Sequence, residues 1–246
     1  MTDDESTPLS KRSDADVPGH WLPGRLGRRV LRPGGLALTT RVLAAAEITG
    51  ADVVELGPGP GRTAHDILVL APRSYVGADA SATGLPDNSA DVVVGEAILT
   101  TQSEKAKKAV LDEAFRILRP GGRYAVHELG LTPDTLGDDT KDAIRRDLAR
   151  AVKVDARPLT VREWTELLTA AGFQVSGVDR APPALLQPAR VVAAEGVVGV
   201  LRIVGDLILR GAARQRVLSM ERTFTECRDH LTAVGVIAVK PSTVAP

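Results

Sequence analysis

One nonapeptide, Val53-Val54-Glu55-Leu56-Gly57-Pro58-Gly59-Pro60-Gly61, restricts what this chain can become more than any other stretch of it. Residues 51–56 are a short, mostly apolar and β-branched run, the glycines follow at once, and residues 62–71 carry a helical pattern. Strand, glycine turn and helix in that order open an α/β unit. Glycine lets the backbone turn sharply and lets a ligand approach closely, while the helix start presents N–H groups with no intrahelical acceptor. Position 62 is Arg62, so the third glycine of the dinucleotide fingerprint is missing at its defining spacing. No Gly-Lys-Ser/Thr follows, which excludes a phosphate-binding P-loop.

The rest of the chain continues the alternation. Residues 36–48 read as a helix ended by Gly50, 75–78 as a strand running into Asp79, and 91–95 as a strand of the continuous apolar type that parallel sheets bury. Residues 103–118 form an amphipathic helix, Arg119-Pro120-Gly121-Gly122 a helix stop and tight turn, and 123–127 a strand. Thr160 and Glu163 make a capping box for a helix over 161–171, and 173–178 and 233–239 supply the last strands. The fold class expected is α/β, a doubly wound, Rossmann-like sheet. Two stretches, about 131–158 and 182–232, break the alternation and are expected as helical cap insertions over one edge of the sheet. All of this falls in a single domain over 18–240, with a disordered arm at 1–17 and a tail at 241–246.

Composition narrows the partners. With 31 basic and 31 acidic residues, the chain lacks the basic excess of a dedicated nucleic-acid scaffold, and nucleic acid is not an expected partner. Aromatic residues are 3% of the total, so the core must be aliphatic and stacking platforms are few. The single cysteine, Cys227, excludes an internal disulfide framework and a cysteine-based zinc site, and the four scattered histidines do not replace it. No metal is expected, and a reduced, cytoplasmic setting is. The polar N-terminus has no apolar signal region, and Glu195, Arg202 and Asp206 interrupt the apolar stretch 191–209, so no membrane segment is expected.

VVELGPGPG, followed in order by VGADASATGLPDNSADVVV, EAILTTQ, DEAFRILRPGGRYAV, FQVSGV and GVIAVKP, resembles the class I S-adenosylmethionine-dependent methyltransferases, particularly the small-molecule type typified by quinone-biosynthesis enzymes. The resemblance spans about residues 53–240. It implies S-adenosylmethionine as the cofactor, with Glu55 holding its methionine amino group directly or through water. Gly57, Gly59 and Gly61 would line the cofactor, and Asp79 and Ala80 would face its adenosine half. Charge agrees with this: a sulfonium and an ammonium without phosphate favour an acidic residue beside a glycine floor that lacks lysine. There is one departure from the family. Asp79 lies 24 residues after Glu55, which suits the acid that follows the second strand, but its neighbours look like the end of the third. Residues 80–90 number eleven and contain Gly84 and Pro86, too few for a crossover helix, a parallel strand and its return. A βα unit is therefore expected to be missing between the second and third strands.

Glu96, at the end of the strand over 91–95, is a candidate cofactor contact; capping of the next helix is the alternative. His127 and Glu128 end the following strand, where ligands of open α/β sheets bind. His127 is a candidate general base, or else a hydrogen-bonded structural histidine. His65 is expected at the surface. His20 and Trp21 lie in an arm that either closes over the cofactor or packs against the sheet. Arg25, Arg28, Arg29 and Arg32 form the one dense basic run and are expected on a solvated helix face. Met220, Phe224 and Cys227 recur at helical spacing as core residues of the cap. The resemblance implies methyl transfer to a small organic acceptor. A non-catalytic, S-adenosylmethionine-binding relative is the first alternative and an RNA methyltransferase the second. Transfer by alignment in a dry pocket makes a catalytic side chain optional, and the cap insertions carry no recognisable substrate motif.

Overall fold

The glycine-terminated strand lies inside a sheet. In a computed structural model that describes residues 32–59, 61–184 and 211–242, the side chains of 211–218 excepted, β1 (Asp52–Leu56) pairs in parallel with β2 (Ser74–Ala78) on one side and β3 (Ala90–Glu96) on the other. Val53, Val54 and Leu56 are each at most 4% exposed, as a strand buried on both faces requires. The order across the sheet is β2-β1-β3-β4-β7-β6, where β4 is Leu118–Leu131, β6 is Gln174–Ala181 and β7 is Leu231–Val239. β4 runs parallel to β3, and β7 runs antiparallel to both β4 and β6. The two-residue β5 (Leu159–Thr160) pairs with the far end of β4.

Helices cover both faces. On one, α1 (Gly35–Ala45) and α2 (Arg62–Val69) pack Leu38, Val42, Leu43 and Ile67 against Val53, Val92, Val94 and Ala125. On the other, α3 (Glu104–Ile117) and α5 (Val161–Ala170) pack Val110, Leu111, Trp164 and Leu168 against Val54, Leu56, Val93 and Val126. The split follows the two-residue period of the strands, which sends neighbouring side chains to opposite faces. Thr160 caps α5 as its sequence predicts: its hydroxyl accepts the Glu163 amide at 3.2 Å and Glu163 accepts the Thr160 amide at 2.7 Å.

Between β2 and β3, residues 79–89 contain neither helix nor strand. The chain passes directly from the edge strand to the far side of β1, leaving β2 as the end of the sheet.

Three expectations are corrected. Arg119-Pro120-Gly121-Gly122 is no tight turn; it lies within β4, where the pairing register shifts between Ala90 and Val92 of β3. Gly121 absorbs the irregularity with φ +81°. The cap elements α4 (Asp138–Val152) and α6 (Gly211–Glu226) are helical, but they do not cover an edge. Ile144, Leu148, Phe224 and Cys227 pack against Leu129, Leu131 and Leu231, at the projecting ends of the internal strands β4 and β7. Arg32, expected on a solvated face, is buried. The expected arm at 1–17, His20, Trp21, Arg25, Arg28, Arg29, residues 185–210 of the second insertion and 243–246 of the tail lie outside the described residues. Among the described residues no helix is long and apolar enough to cross a membrane, and no cluster of His, Cys, Asp or Glu could hold a metal ion.

Candidate active site

Strand register brings the three candidate side chains together. Glu96 of β3 lies opposite His127 of β4, and Glu55 of β1 lies opposite Val94, two residues before Glu96. Glu55 alternates with Val53, Glu96 with Val94, and His127 with Ala125, so all three emerge on the α1/α2 face at the carboxyl ends of adjacent strands.

His127 is 2% exposed and both its ring nitrogens are engaged. Nε2 accepts the Gly34 amide at 2.9 Å, which requires that nitrogen to be unprotonated. The ring proton therefore sits on Nδ1 and is donated to Glu96 Oε1 at 2.7 Å. The Thr39 hydroxyl also donates to Oε1 and the Thr63 hydroxyl to Oε2, each at 2.5 Å. Arg32 places its Nε 3.5 Å from the same Oε2 and pairs its terminal nitrogen with Asp66. Burial alone would push the Glu96 carboxyl up, but His127, Arg32 and Thr39 outweigh it and hold the group at about 2, fully ionised.

Glu55 has the opposite balance. It is 3% exposed and, among the described residues, takes one donor, the Tyr75 hydroxyl at 2.6 Å; burial, with Glu96 nearby, pushes its carboxyl up to about 7. Burial and the contact with Glu55 push the Tyr75 phenol up in turn. Glu128, the next residue after His127, points to the other face of the sheet and serves the backbone. It accepts the amides of Ile98, Leu99 and Thr100 and the Thr100 hydroxyl at 2.6–3.1 Å, which fixes the loop after β3.

The glycine turn has the conformation its sequence demands. Gly57, Gly59 and Gly61 adopt φ +60°, +51° and +80°, and Gly61 is the N-cap of α2 with nothing within 4 Å of where a Cβ would stand. A Cβ on Gly57 would meet Ile98 Cδ1 at 2.8 Å. Pro58 folds onto β2, where a Cβ on Gly77 would meet its Cγ at 2.8 Å.

The residues present fit a methionine sulfonium. Among the described residues, a buried ionised carboxylate, a second carboxyl poised near neutrality, and Asp66 stand against the Arg32 guanidinium beside an open helix start. Asp79, which the resemblance places on the adenosine side, is exposed, and its Oδ1 takes the amides of Ser81 and Ala82 and the Ser81 hydroxyl. Those bonds lower its pKa, so the carboxylate is charged. Ala80 packs against the α3/α5-side core. His65 is exposed, as expected.

Sequence reasoning singled out Glu55, the glycines, Glu96 and His127 as candidates, and the structure gathers around them Thr39, Thr63, Tyr75, Arg32 and Asp66, which the sequence alone does not place there. Thr63 had a signal, as the second residue of a helix that begins on the glycine turn. Tyr75 had one too, two residues from Gly77, which lies opposite Glu55. For Thr39, Arg32 and Asp66 nothing in the local pattern marks a site.

Residues 37–126 match the family described as Methyltransferase domain. A protein of Haemophilus influenzae without an assigned function is 27% identical over 254 residues, covering 92% of this chain and 99% of its own. The [4+2]-cyclase SpnF superposes with TM-score 0.64 at 16% identity, covering 94% of this chain and 98% of its own. Phosphoethanolamine N-methyltransferase 2 of Haemonchus contortus, solved with phosphomonomethylethanolamine and S-adenosylhomocysteine, superposes with TM-score 0.63 at 16% identity, covering 95% of this chain and 58% of its own. At such identities the superpositions speak for the fold. The fold and the glycine turn are similar to those of the class I S-adenosylmethionine-dependent methyltransferases. Residues 37–126 carry the methyltransferase domain itself, and S-adenosylmethionine is its cofactor.

Proposed function

We propose that this protein transfers the methyl group of S-adenosylmethionine to a small organic acceptor. The observation that carries the reading is the acidic set formed by the buried Glu55 and Glu96 at the strand ends and the half-buried Asp66 of α2, which exceeds the charge of Arg32 and so suits a cationic cofactor. S-adenosylmethionine supplies an activated methyl on its sulfonium. Glu55 and the amides of the glycine turn would hold the methionine end. Asp79, with Oδ1 tied into its own loop, would offer Oδ2 to the ribose hydroxyls. Glu96 is a positioning residue in this reading, because its two oxygens already serve Thr39, Thr63 and His127. His127 holds no free lone pair, so the acceptor must be a nucleophile that needs no base from it. The neutral chain and the absence of an expected basic surface support a small acceptor over RNA.

Titration calorimetry with S-adenosylmethionine, followed by transfer of a tritiated methyl group into fractionated cell extract, tests this. Heat of binding and label in the low-mass fraction are expected; label in RNA would overturn the acceptor class. A second reading, cofactor binding without transfer, is favoured by the exposed Asp79 and by a connection at 79–89 too short to wall the adenosine side. It predicts heat of binding with no label in any fraction.

A further inference from the structure

Apart from the strand-end carboxyls, a cavity of about 550 Å³ lies among α4, the start of α3 and the segment that leads into β5. Asp142, Arg145, Arg146 and Ala149 recur at i, i+3, i+4 and i+7, so one side of α4 forms a wall of it, while Ile144 and Leu148 of the same helix face the core. Arg157 and Asp155 form a second wall and Glu104 a third. The volume is that of a small-molecule pocket.

Each acid at this cavity already has a cation. Asp142 is 3.3 Å from Arg145 Nη1, Asp155 is 2.7 Å from Arg157 Nε, and Glu104 is 3.0 Å from the Nζ of Lys107, which is buried beneath it. The arginines are not saturated in return. Arg146 is exposed and makes no hydrogen bond or ion pair among the described residues. Arg157 donates its Nε alone, which leaves the N–H groups of both terminal nitrogens. With Lys107 included, Arg145, Arg146 and Arg157 give the enclosure four cations against three anions.

The basic wall is also held in place. The Arg157 amide donates to the Thr100 carbonyl at 2.7 Å, and its carbonyl accepts from Lys107 at 3.1 Å. Arg145 lays Nε and Nη2 on the Pro158 carbonyl at 3.3 and 3.2 Å. Guanidinium groups match the paired oxygens of a carboxylate or phosphate with parallel N–H donors, and anchoring them beforehand lowers the entropy lost on binding.

We propose that this cavity binds a small organic molecule by its phosphate or carboxylate group, with Arg146 and the terminal nitrogens of Arg157 as donors to the oxyanion. Ala149 and Leu159 offer apolar surface to the carbon body of the ligand. The site uses none of Glu55, Glu96 or His127 and does not rest on the methyl-transfer reading.

Calorimetry on the full chain with inorganic phosphate, and separately with succinate, tests this at an ionic strength held constant with sodium chloride. Saturable binding of at least one probe at one site per chain is expected, the tighter of the two identifying the oxyanion. Arg146→Ala alters an exposed, unpaired position, so the thermal melt in chloride should not change, while loss of a charge-assisted hydrogen bond should weaken binding about tenfold. Adding Arg157→Ala, which keeps both backbone anchors, should abolish binding. Arg150→Ala, one turn farther along α4 and outside the cavity, should bind as the wild type does. Absence of saturable binding for both probes overturns the proposal, as does binding that Arg146→Ala leaves intact or that Arg150→Ala weakens equally.

Discussion

His127 donates its Nδ1 proton to Glu96 across a 2.7 Å hydrogen bond while its Nε2 accepts the Gly34 amide at 2.9 Å. The imidazole thus ties the segment before α1 to the end of β3, and it is committed at both nitrogens. His127→Ala removes the Nε2 that accepts the Gly34 amide and the strongest partner of a buried carboxylate. A loss of about 2–3 kcal/mol in stability is expected by urea unfolding, with any loss of activity following loss of folded protein. A variant of unchanged stability that had lost methyl transfer would instead make His127 a base.

Glu55 and Glu96 give pH dependences of opposite sign. Burial raises the Glu55 carboxyl to about 7, so between its ordinary value and 7 the folded state binds more protons than the unfolded state, and stability falls as pH rises. Glu96, held at about 2, stabilises above its ordinary value and loses that contribution as pH falls toward 2. Glu55→Gln should therefore raise stability at pH 8 by up to roughly 3 kcal/mol while weakening binding of S-adenosylmethionine. Melting curves across pH with calorimetry on the same samples read both effects. A variant destabilised at pH 8 would contradict the account.

S-adenosylmethionine binding should itself weaken as pH drops below 7, because protonation of Glu55 removes the charge that would face the methionine ammonium. The wild-type dissociation constant is expected to rise through that range, and that of Glu55→Gln to stay flat. Equal slopes for the two proteins would remove Glu55 from the binding site.

Gly57→Ala forces a Cβ onto a residue at φ +60° and into Ile98 Cδ1. The left-handed backbone costs roughly 1–2 kcal/mol. The Ile98 contact is with the end of a flexible chain, so Ile98→Ala in the same protein should recover only part of the lost cofactor affinity. Full recovery would show that crowding, not backbone conformation, governs the turn.

Thr160→Ala removes the hydroxyl half of the capping exchange that starts α5, leaving the residue's amide on Glu163, and should cost about 1 kcal/mol with no change in cofactor affinity. Thermal unfolding and calorimetry distinguish the two effects.

Much of this architecture is legible locally. Thr160 is visible as a cap because its hydroxyl bonds an amide three residues on, and it does so in the structure, as does Ser103, which the helical pattern over 103–118 includes as a first residue. β1, α2 and the positive-φ glycines follow from six-residue patterns whose physics is short-ranged. Arg119 to Gly122 misled because proline and glycine mark turns and bulges alike, and only the pairing of β4 with β3 tells them apart. Lys107 was assigned to an amphipathic helix without sign of its burial. It is fully enclosed, bonded to Glu104 one turn back and to the Arg157 carbonyl and set 5.5 Å from the Trp164 ring, the last two brought by the cap and α5 from far along the chain.

By itself the sequence determined the α/β class, the glycine turn, the ligand end of the sheet and the shortage of residues between β2 and β3, since each depends on neighbours within a few positions. Tertiary structure alone decided what the candidate side chains do. Register set Glu55, Glu96 and His127 on one face, and α1 and α2 brought Thr39, Thr63, Arg32 and Asp66 over them. The donors around them then divided two buried glutamates of like chemistry into one ionised at about 2 and one poised at about 7. A carboxyl's charge depends on the donors and the water around it, and those are fixed only when strands distant in sequence lie side by side.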